Sequence, residues 1–254
     1  MKVRKLFVTL FVCCYSVMRV CAQEDLIKEL QSQDLSLVFN AEKIKDDSGT
    51  EIIRPEILGF IGDNYQRLQI HFTKFTKSTI NHLQYNVEGK TKVENNICNF
   101  KGTVTITEAN YNAEPVIPTL EGYKTGTVIS KVEIYEDSNQ NSSGIIKGEL
   151  ITDIVFSEDG KAEYDALMLV SDGFANNQFK GIWTSYKTGK SKQCNWGDFR
   201  IPDSGSLDVG AGEFSIDSPF RENGWQSYYD AYCCNPDMPK TKAARKKEFE
   251  KWWL

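Results

Sequence analysis

Alternating apolar and polar segments, joined by short turns, run through the chain from Tyr65 to Ile201. In the clearest segment, residues 97–107, side chains alternate with a period of two, which is typical of a strand with one buried face. Turn signals such as Asp172-Gly173 separate the later segments. Because no helical crossover lies between them, a parallel sheet is excluded, and the sequence predicts about eight to ten antiparallel strands.

Glycine recurs on the apolar face of these strands, two residues after a large apolar side chain. The three such glycines are Gly102, Gly148 and Gly181. Glycine inside a strand marks a bend or a close approach, so the pattern favours a sheet that curls on itself. We expect a large neighbour such as Trp183 to fill the space beside Gly181. The inward residues expected to be buried are Phe100, Val104, Ile106, Leu150, Ile154, Phe156, Phe179 and Trp183.

The predicted fold class is therefore mainly β: an antiparallel meander closing into a barrel, with short N-terminal and C-terminal helices. A two-layer β-sandwich is the alternative. The predicted divisions are a signal peptide (1–22), an N-terminal arm with the first strands (23–64), a barrel-like domain (65–218) and an aromatic helical segment packed on the barrel (219–254).

Inside the arm, residues 24–32 predict a short helix, and the segment from Leu35 to Phe39 predicts a first strand. Residues 108–125 predict a long connection, because Pro115 and Pro118 cannot both occupy a central strand.

The last helix is predicted over residues 241–253, with Thr241 as its N-cap. Phe249, Trp252 and Trp253 follow the i, i+3, i+4 spacing of one apolar stripe. The rest of the helix is basic. It is either a solvated face whose stripe docks on the barrel, or a peripheral contact with an anionic membrane surface or an acidic partner.

The N-terminus has the composition of a signal peptide. Basic residues at positions 2–5 precede an uncharged apolar run at 6–17, and cleavage is predicted after Ala22. Lipidation of Cys21 is the alternative. The expected localisation is periplasmic or secreted.

Charge and hydropathy argue against a nucleic-acid binder and against a helical membrane protein. The chain has 30 basic and 35 acidic residues, and the first 22 residues hold four of the basic ones and no acid, so the mature chain has a net charge of −9. Because phosphate contacts need a basic surface, this charge disfavours a nucleic-acid binder. Beyond the N-terminus no apolar run reaches about 18 residues, which predicts no transmembrane helix.

Four cysteines remain after signal removal: Cys98, Cys194, Cys233 and Cys234. An even number in an oxidising compartment predicts disulfides. A bond between the adjacent Cys233 and Cys234 would be strained. We therefore expect one of them to pair with Cys98 and the other with Cys194, or a single Cys98–Cys194 bridge. A zinc site is disfavoured because the C-x-x-C spacing is absent, so no metal or cofactor is predicted.

Acidic residues recur at five-residue intervals through the loop 198–213. Two such carboxylates could form an acid/base pair for glycoside cleavage beside a tryptophan platform, or bind Ca²⁺; the simpler interpretation is turn formation. No catalytic residue is assigned, since a Ser-His-Asp or Cys-His site would need one of only two histidines. The candidate ligand-binding residues are Trp183, Trp196, Asp198, Asp208 and Glu213.

The stretch from Asn176 to Phe214, with FKGIWTSYKTGKSKQCNWGDFRIP and LDVGAGEF, resembles segments of uncharacterised secreted bacterial proteins. The meander with F-x-G strands is similar to the calycin-like or lipocalin-like barrel class, although no G-x-W signature opens it. The resemblance implies a barrel and suggests binding.

We therefore expect an exported, non-enzymatic binding or interaction protein. Its ligand would be a small molecule or glycan in the barrel mouth, or another protein in an immunity or inhibitor role. A secreted glycoside-type hydrolase using the 198–213 carboxylates is the alternative.

Overall fold

The computed structural model describes residues 26–113 and 122–254. The predicted signal peptide, with Cys21, and the connection around Pro115 and Pro118 lie outside the described residues. The helices are α1 (26–32), α2 (Ser36–Phe39), α3 (Gln226–Tyr232) and α4 (Pro239–Glu248), with single 3-10 or π turns at Gly205–Leu207, Ser218–Phe220 and Arg221–Trp225. The strands are β1 (Lys43–Lys45), β2 (Glu51–Ile53), β3 (Leu58–Ile61), β4 (Gln66–Lys77), β5 (Gln84–Val93), β6 (Asn96–Tyr111), β7 (Thr125–Glu136), β8 (Gly144–Phe156), β9 (Ala162–Tyr164), β10 (Asn176–Ser185) and β11 (Ser191–Asp198).

Eight of the strands close into an antiparallel barrel. β3 to β8 pair in sequence order, β10 pairs with both β8 and β11, and β11 pairs with β3 to complete the ring. The short β9 continues beside the end of β8, and β1 and β2 form a separate hairpin. The predicted barrel is confirmed over the sandwich.

Packed side chains fill the barrel interior. The predicted inward residues belong to one buried cluster, except that Trp183 is only partly buried at its edge. Phe179, fully buried, stacks on Trp196 with ring centroids 3.6 Å apart. Alternation along each strand therefore identified the core correctly.

The glycines allow this close packing. Gly148 and Gly181 lie opposite each other across β8 and β10, and a Cβ atom on either would meet the ring of Phe179. The expectation that Trp183 fills the space beside Gly181 is wrong, because the Trp183 ring lies over Gly144 instead.

Helices close one end of the barrel. Leu26, Leu30 and Leu35 from α1 and the start of α2 are buried in the barrel cluster. The predicted strand at 35–39 is wrong, since the apolar positions Leu35, Val38 and Phe39 follow the i, i+3, i+4 spacing of a helix. The carboxylate of Asp34 also accepts the backbone N–H of Ser36 at 2.9 Å and favours the turn.

The C-terminal segment packs on the outer wall of β3 and β4. Trp225 is fully buried there, and its indole N–H donates to the carbonyl of Tyr65 at 2.8 Å. The predicted helix 241–253 is shifted: α4 begins at Pro239, a residue favoured at the first helical position, and its N-cap is Met238 rather than Thr241. Trp252 and Trp253 follow the helix, and Trp253 stacks on His71.

A buried ion pair holds α4 to this wall. The two terminal nitrogens of the Arg67 guanidinium group, Nη1 and Nη2, donate to the carboxylate of Glu248 at 3.0 and 2.6 Å. Burial alone would raise the pKa of Glu248, but the hydrogen bonds and charge of Arg67 outweigh it, and the net pKa is lowered.

This pair predicts a pH dependence of stability. A carboxyl group whose pKa is lowered on folding stabilises the protein above its unfolded pKa, about 4.3 for Glu, and loses that contribution as the pH falls through the folded value. Glu248→Gln should therefore lower the free energy of unfolding by about 2 kcal/mol at neutral pH. Urea unfolding should be measured from pH 7 to pH 3. Over this range the free energy of unfolding should decline less for Glu248→Gln than for the parent. Equal declines in both would contradict the assignment, and Glu51→Gln, in an exposed pair with Lys43, is the control.

Candidate functional site

A cavity of about 310 Å³ opens beside the connection between β9 and β10, at the end of the barrel that the N-terminal helices close. Its wall is the loop 165–175, and Asp153 of β8 reaches it from the barrel. Its lining combines acidic and apolar residues. The lining residues are Asp153, Asp165, Met168, Ser171, Asp172, Gly173, Phe174 and Ala175.

Local hydrogen bonds fix the shape of the loop. The carboxylate of Asp165 accepts the backbone N–H of Leu167 at 3.0 Å, which starts a turn. The buried amide of Asn176 donates to the carbonyls of Asp153 and Asp165, at 2.9 and 3.1 Å. At the other end, Gly173 takes a positive φ of 80° and donates its N–H to the carbonyl of Gly212. One flank of the cavity is therefore hydrogen-bonded to β8 and the other to the glycine-rich loop.

The carboxylates in the cavity lack a compensating charge. Within the described residues, Asp153, Asp165 and Asp172 form no ion pair. Burial raises the pKa of Asp165, the N–H of Leu167 opposes this, and the charge of Asp153 raises it further. A cationic group placed here would relieve the repulsion between the two carboxylates.

Asp198, one of the predicted ligand-binding residues, belongs to a buried structural network. Its Oδ2 accepts hydrogen bonds from Arg54 at 3.1 Å, Tyr164 at 3.1 Å and Asn177 at 2.9 Å. Arg54 and Asn177 also donate to carbonyls of Phe39 and Val38 in α2. Burial raises the pKa of Asp198, and Arg54 opposes that shift. Asp198 therefore connects β11 to the N-terminal helices that close the barrel end (the N-terminal cap), and it is not accessible to a ligand.

The two predicted tryptophans occupy different ends of the barrel interior. Trp196 is buried against Phe179 in the core and presents no platform for a sugar. Trp183, toward the opposite end, donates its indole N–H to the carboxylate of Glu136 at 2.9 Å. Glu136 is itself buried and also accepts from Thr91 and from the N–H of Gly144.

The acids of the glycine-rich loop also serve structural roles or face solvent. The carboxylate of Asp208 pairs with Arg200 at 2.9 Å and accepts the N–H groups of Gly210 and Ser215. Glu213 is exposed. The structure does not bring Asp198, Asp208 and Glu213 together.

The expected disulfide pairing is wrong. Cys233 and Cys234 are bonded to each other at the exposed end of α3, whereas Cys98 and Cys194 are free and buried. Cys98 and Cys194 face the barrel interior, so the wall separates them from the C-terminal pair.

Comparison with protein-family models, curated proteins and solved structures found no match to this chain. The described residues contain no group of three or more His, Cys, Asp or Glu placed to hold a metal ion. They also include no helix long and apolar enough to cross a membrane. The interpretation of the cavity therefore depends on its geometry and chemistry.

Sequence reasoning missed the residues of this cavity. The sequence of residues 161–170 predicts one of the antiparallel strands, but only the short β9 forms there, and the chain then turns. The available signal was the loss of alternation after Asp165, where five apolar residues, 166–170, follow one another.

Proposed function

We propose that this chain is an exported, non-enzymatic binding protein that takes its ligand in the cavity beside the loop 165–175. Hollow barrels of this class hold a ligand inside the barrel. The interior of this barrel is filled by side chains, which argues against an internal ligand here. A cavity of about 310 Å³ lies at the lower end of the range for small-molecule sites. The observation that carries the proposal is the cavity itself, whose lining combines Met168 and Phe174 with carboxylates that form no ion pair in the described residues.

The chemistry of the lining defines the ligand class. Asp153, Asp165 and Asp172 attract a positive charge, while Met168 and Phe174 offer an apolar wall. The ligand is therefore a cation with an apolar stem, such as an alkylammonium or alkylguanidinium group. A lysine or arginine side chain of a protein partner has this form, and it would fit an inhibitor or immunity role.

Replacing Asp165 by asparagine tests this binding mode. Titration of the parent with Nα-acetyl-arginine amide, followed by calorimetry, should show binding that Nα-acetyl-citrulline amide does not reproduce. Asp165→Asn should weaken it by about 10- to 100-fold, the effect of losing one charged hydrogen-bonding partner. Affinity should rise with pH through the raised pKa of Asp165, because only the ionised carboxylate attracts the cation. Asp203→Asn, in an exposed pair with Lys180, is the matched control, and equal losses in both variants would overturn the proposal.

A glycoside-type hydrolase is the second candidate, favoured by one observation. Asp153 and Asp165 share the cavity, and the pKa of one of them is raised, as in an acid/base pair. The carboxylates involved would then differ from those of the loop 198–213. Release of reducing sugar from a panel of polysaccharides, lost in both Asp153→Asn and Asp165→Asn, would favour the hydrolase.

Export is part of the same proposal. The basic, then apolar, N-terminus predicts removal of residues 1–22. Mass spectrometry of the chain recovered from outside the cytoplasm should find Gln23 as its first residue. A lipidated Cys21 at the N-terminus would contradict a freely diffusing protein.

A further inference from the structure

The C-terminal segment has an exposed surface that is both basic and apolar, in the last turn of α4 and the residues that follow it. Thr241 and Ala244 face the protein, whereas Phe249 is 70% exposed. We call this surface the basic–aromatic patch; its residues are Lys92, Lys246, Lys247, Phe249, Lys251 and Trp252.

Aromatic contacts join the end of the chain to the barrel wall. Trp253 stacks on His71 of β4 with ring centroids 3.6 Å apart, and the Nζ atom of Lys92 in β5 lies 5.8 Å from the centre of the Trp252 ring. Ile97 of β6, partly exposed, lies directly opposite Lys92 in the sheet. The end of the chain is therefore held against the wall, and the patch includes Lys92 of β5 as well as the C-terminal residues.

The lysines of the patch are free to interact with another molecule. Within the described part of the chain, Lys92, Lys246, Lys247 and Lys251 form no ion pair, whereas Lys240 and Lys242 pair with Asp230 and Asp237. The negative charge of Glu248 is compensated by Arg67, and the exposed acids beside the four lysines are Glu250 and Glu94. The patch is thus positive on a chain whose net charge is −5.

We propose that the basic–aromatic patch docks on the surface of an anionic lipid bilayer. Lysine ammonium groups are attracted to anionic headgroups, and tryptophan and phenylalanine insert at the boundary between headgroups and acyl chains. The patch combines several lysines with an exposed phenylalanine, and cationic and apolar groups together suit the surface of an anionic bilayer. The proposal concerns a different face from the cavity and does not depend on it.

Vesicle co-sedimentation of the full mature chain tests this docking. Binding is expected to vesicles rich in phosphatidylglycerol and not to vesicles of phosphatidylcholine alone, and it should weaken as salt is added. Replacing Lys246, Lys247 and Lys251 together by glutamine should reduce partitioning roughly a hundredfold, since each lysine near an anionic surface contributes about fivefold. Phe249→Ser should also weaken binding, without changing its salt dependence.

In the matched control, Lys161, Lys187 and Lys190 are replaced together by glutamine. This variant has the same change in net charge as the patch variant, but at positions outside the patch. These lysines are exposed and form no ion pair in the described residues. Circular dichroism and the thermal midpoint verify that each variant folds. Three results would each overturn the proposal: the control loses as much vesicle binding as the patch variant, the patch variant binds as well as the parent, or the parent binds neutral vesicles as well as anionic ones. Binding to polyglutamate without binding to anionic vesicles would assign the patch to an acidic protein instead.

Discussion

Replacing Asp198 by alanine should lower the free energy of unfolding by about 3–5 kcal/mol, because it leaves a buried charge without its partner. The Arg54 side chain is 8% exposed, so water cannot compensate for the lost carboxylate. Tyr164 and Asn177 lose their acceptor at the same time. Urea unfolding followed by circular dichroism measures the effect.

The exposed pair between Lys180 and Asp203 provides the control for Asp198. Asp203→Ala should change stability by no more than about 1 kcal/mol, as for other solvated ion pairs. Because Arg54 and Asn177 also bond to α2, Asp198→Ala should make the N-terminal cap more sensitive to limited proteolysis. A variant within 1 kcal/mol of the parent, about the size of one ordinary hydrogen bond, would mean that the network does not stabilise the fold.

Phe179→Ala should cost about 3–5 kcal/mol, the range for deleting a buried aromatic ring. The Phe179 ring is fully buried, stacks on Trp196 and covers Gly148 and Gly181, so no neighbouring side chain is placed to fill the cavity. Thermal and urea unfolding should both report the loss. Phe249→Ala, at an exposed position, should be nearly neutral and serves as the control.

The glycines offer an independent test of the same packing. Gly181→Val should destabilise by roughly 1–3 kcal/mol, because its side chain would meet both the Phe179 ring and the carbonyl of Lys147. The backbone contact predicts that the valine remains unfavourable even when Phe179 is alanine. An unchanged or higher thermal midpoint for Gly181→Val would contradict the tight curvature of the barrel at β8 and β10.

Much of the fold could be predicted from the sequence, because alternation directly reports which face of a strand is buried. Phe100, Val104 and Ile154 were placed on the inner face by parity alone. Parity fails where short elements depend on distant contacts. The segment from Leu35 to Phe39 is a helix because it covers the end of a barrel whose other strands lie far along the chain.

The candidate site was predicted poorly for a related physical reason. In the sequence, nothing distinguishes Asp198 and Asp208 from ligand-binding carboxylates. In the structure, Asp198 pairs with the buried Arg54. Asp208 pairs with Arg200 and accepts the N–H of Gly210. Asp153 and Asp165 lie on two different elements, and only the pairing of β8 with β9 brings them to one cavity. Sequence spacing cannot reveal that a carboxylate is satisfied, or that two carboxylates share a cavity.

The most direct test of the proposed function is a chemical-shift map of the ¹⁵N-labelled protein titrated with Nα-acetyl-arginine amide. We expect the largest saturable shifts on residues 165–175 and on Asp153, with little change at the buried amides around Phe179 and Trp196. In Asp165→Asn those shifts should saturate only at about 10- to 100-fold higher concentration, and the rest of the spectrum should be unaltered. Saturable shifts centred inside the barrel, or none that saturate, would contradict a cation-binding site beside this loop.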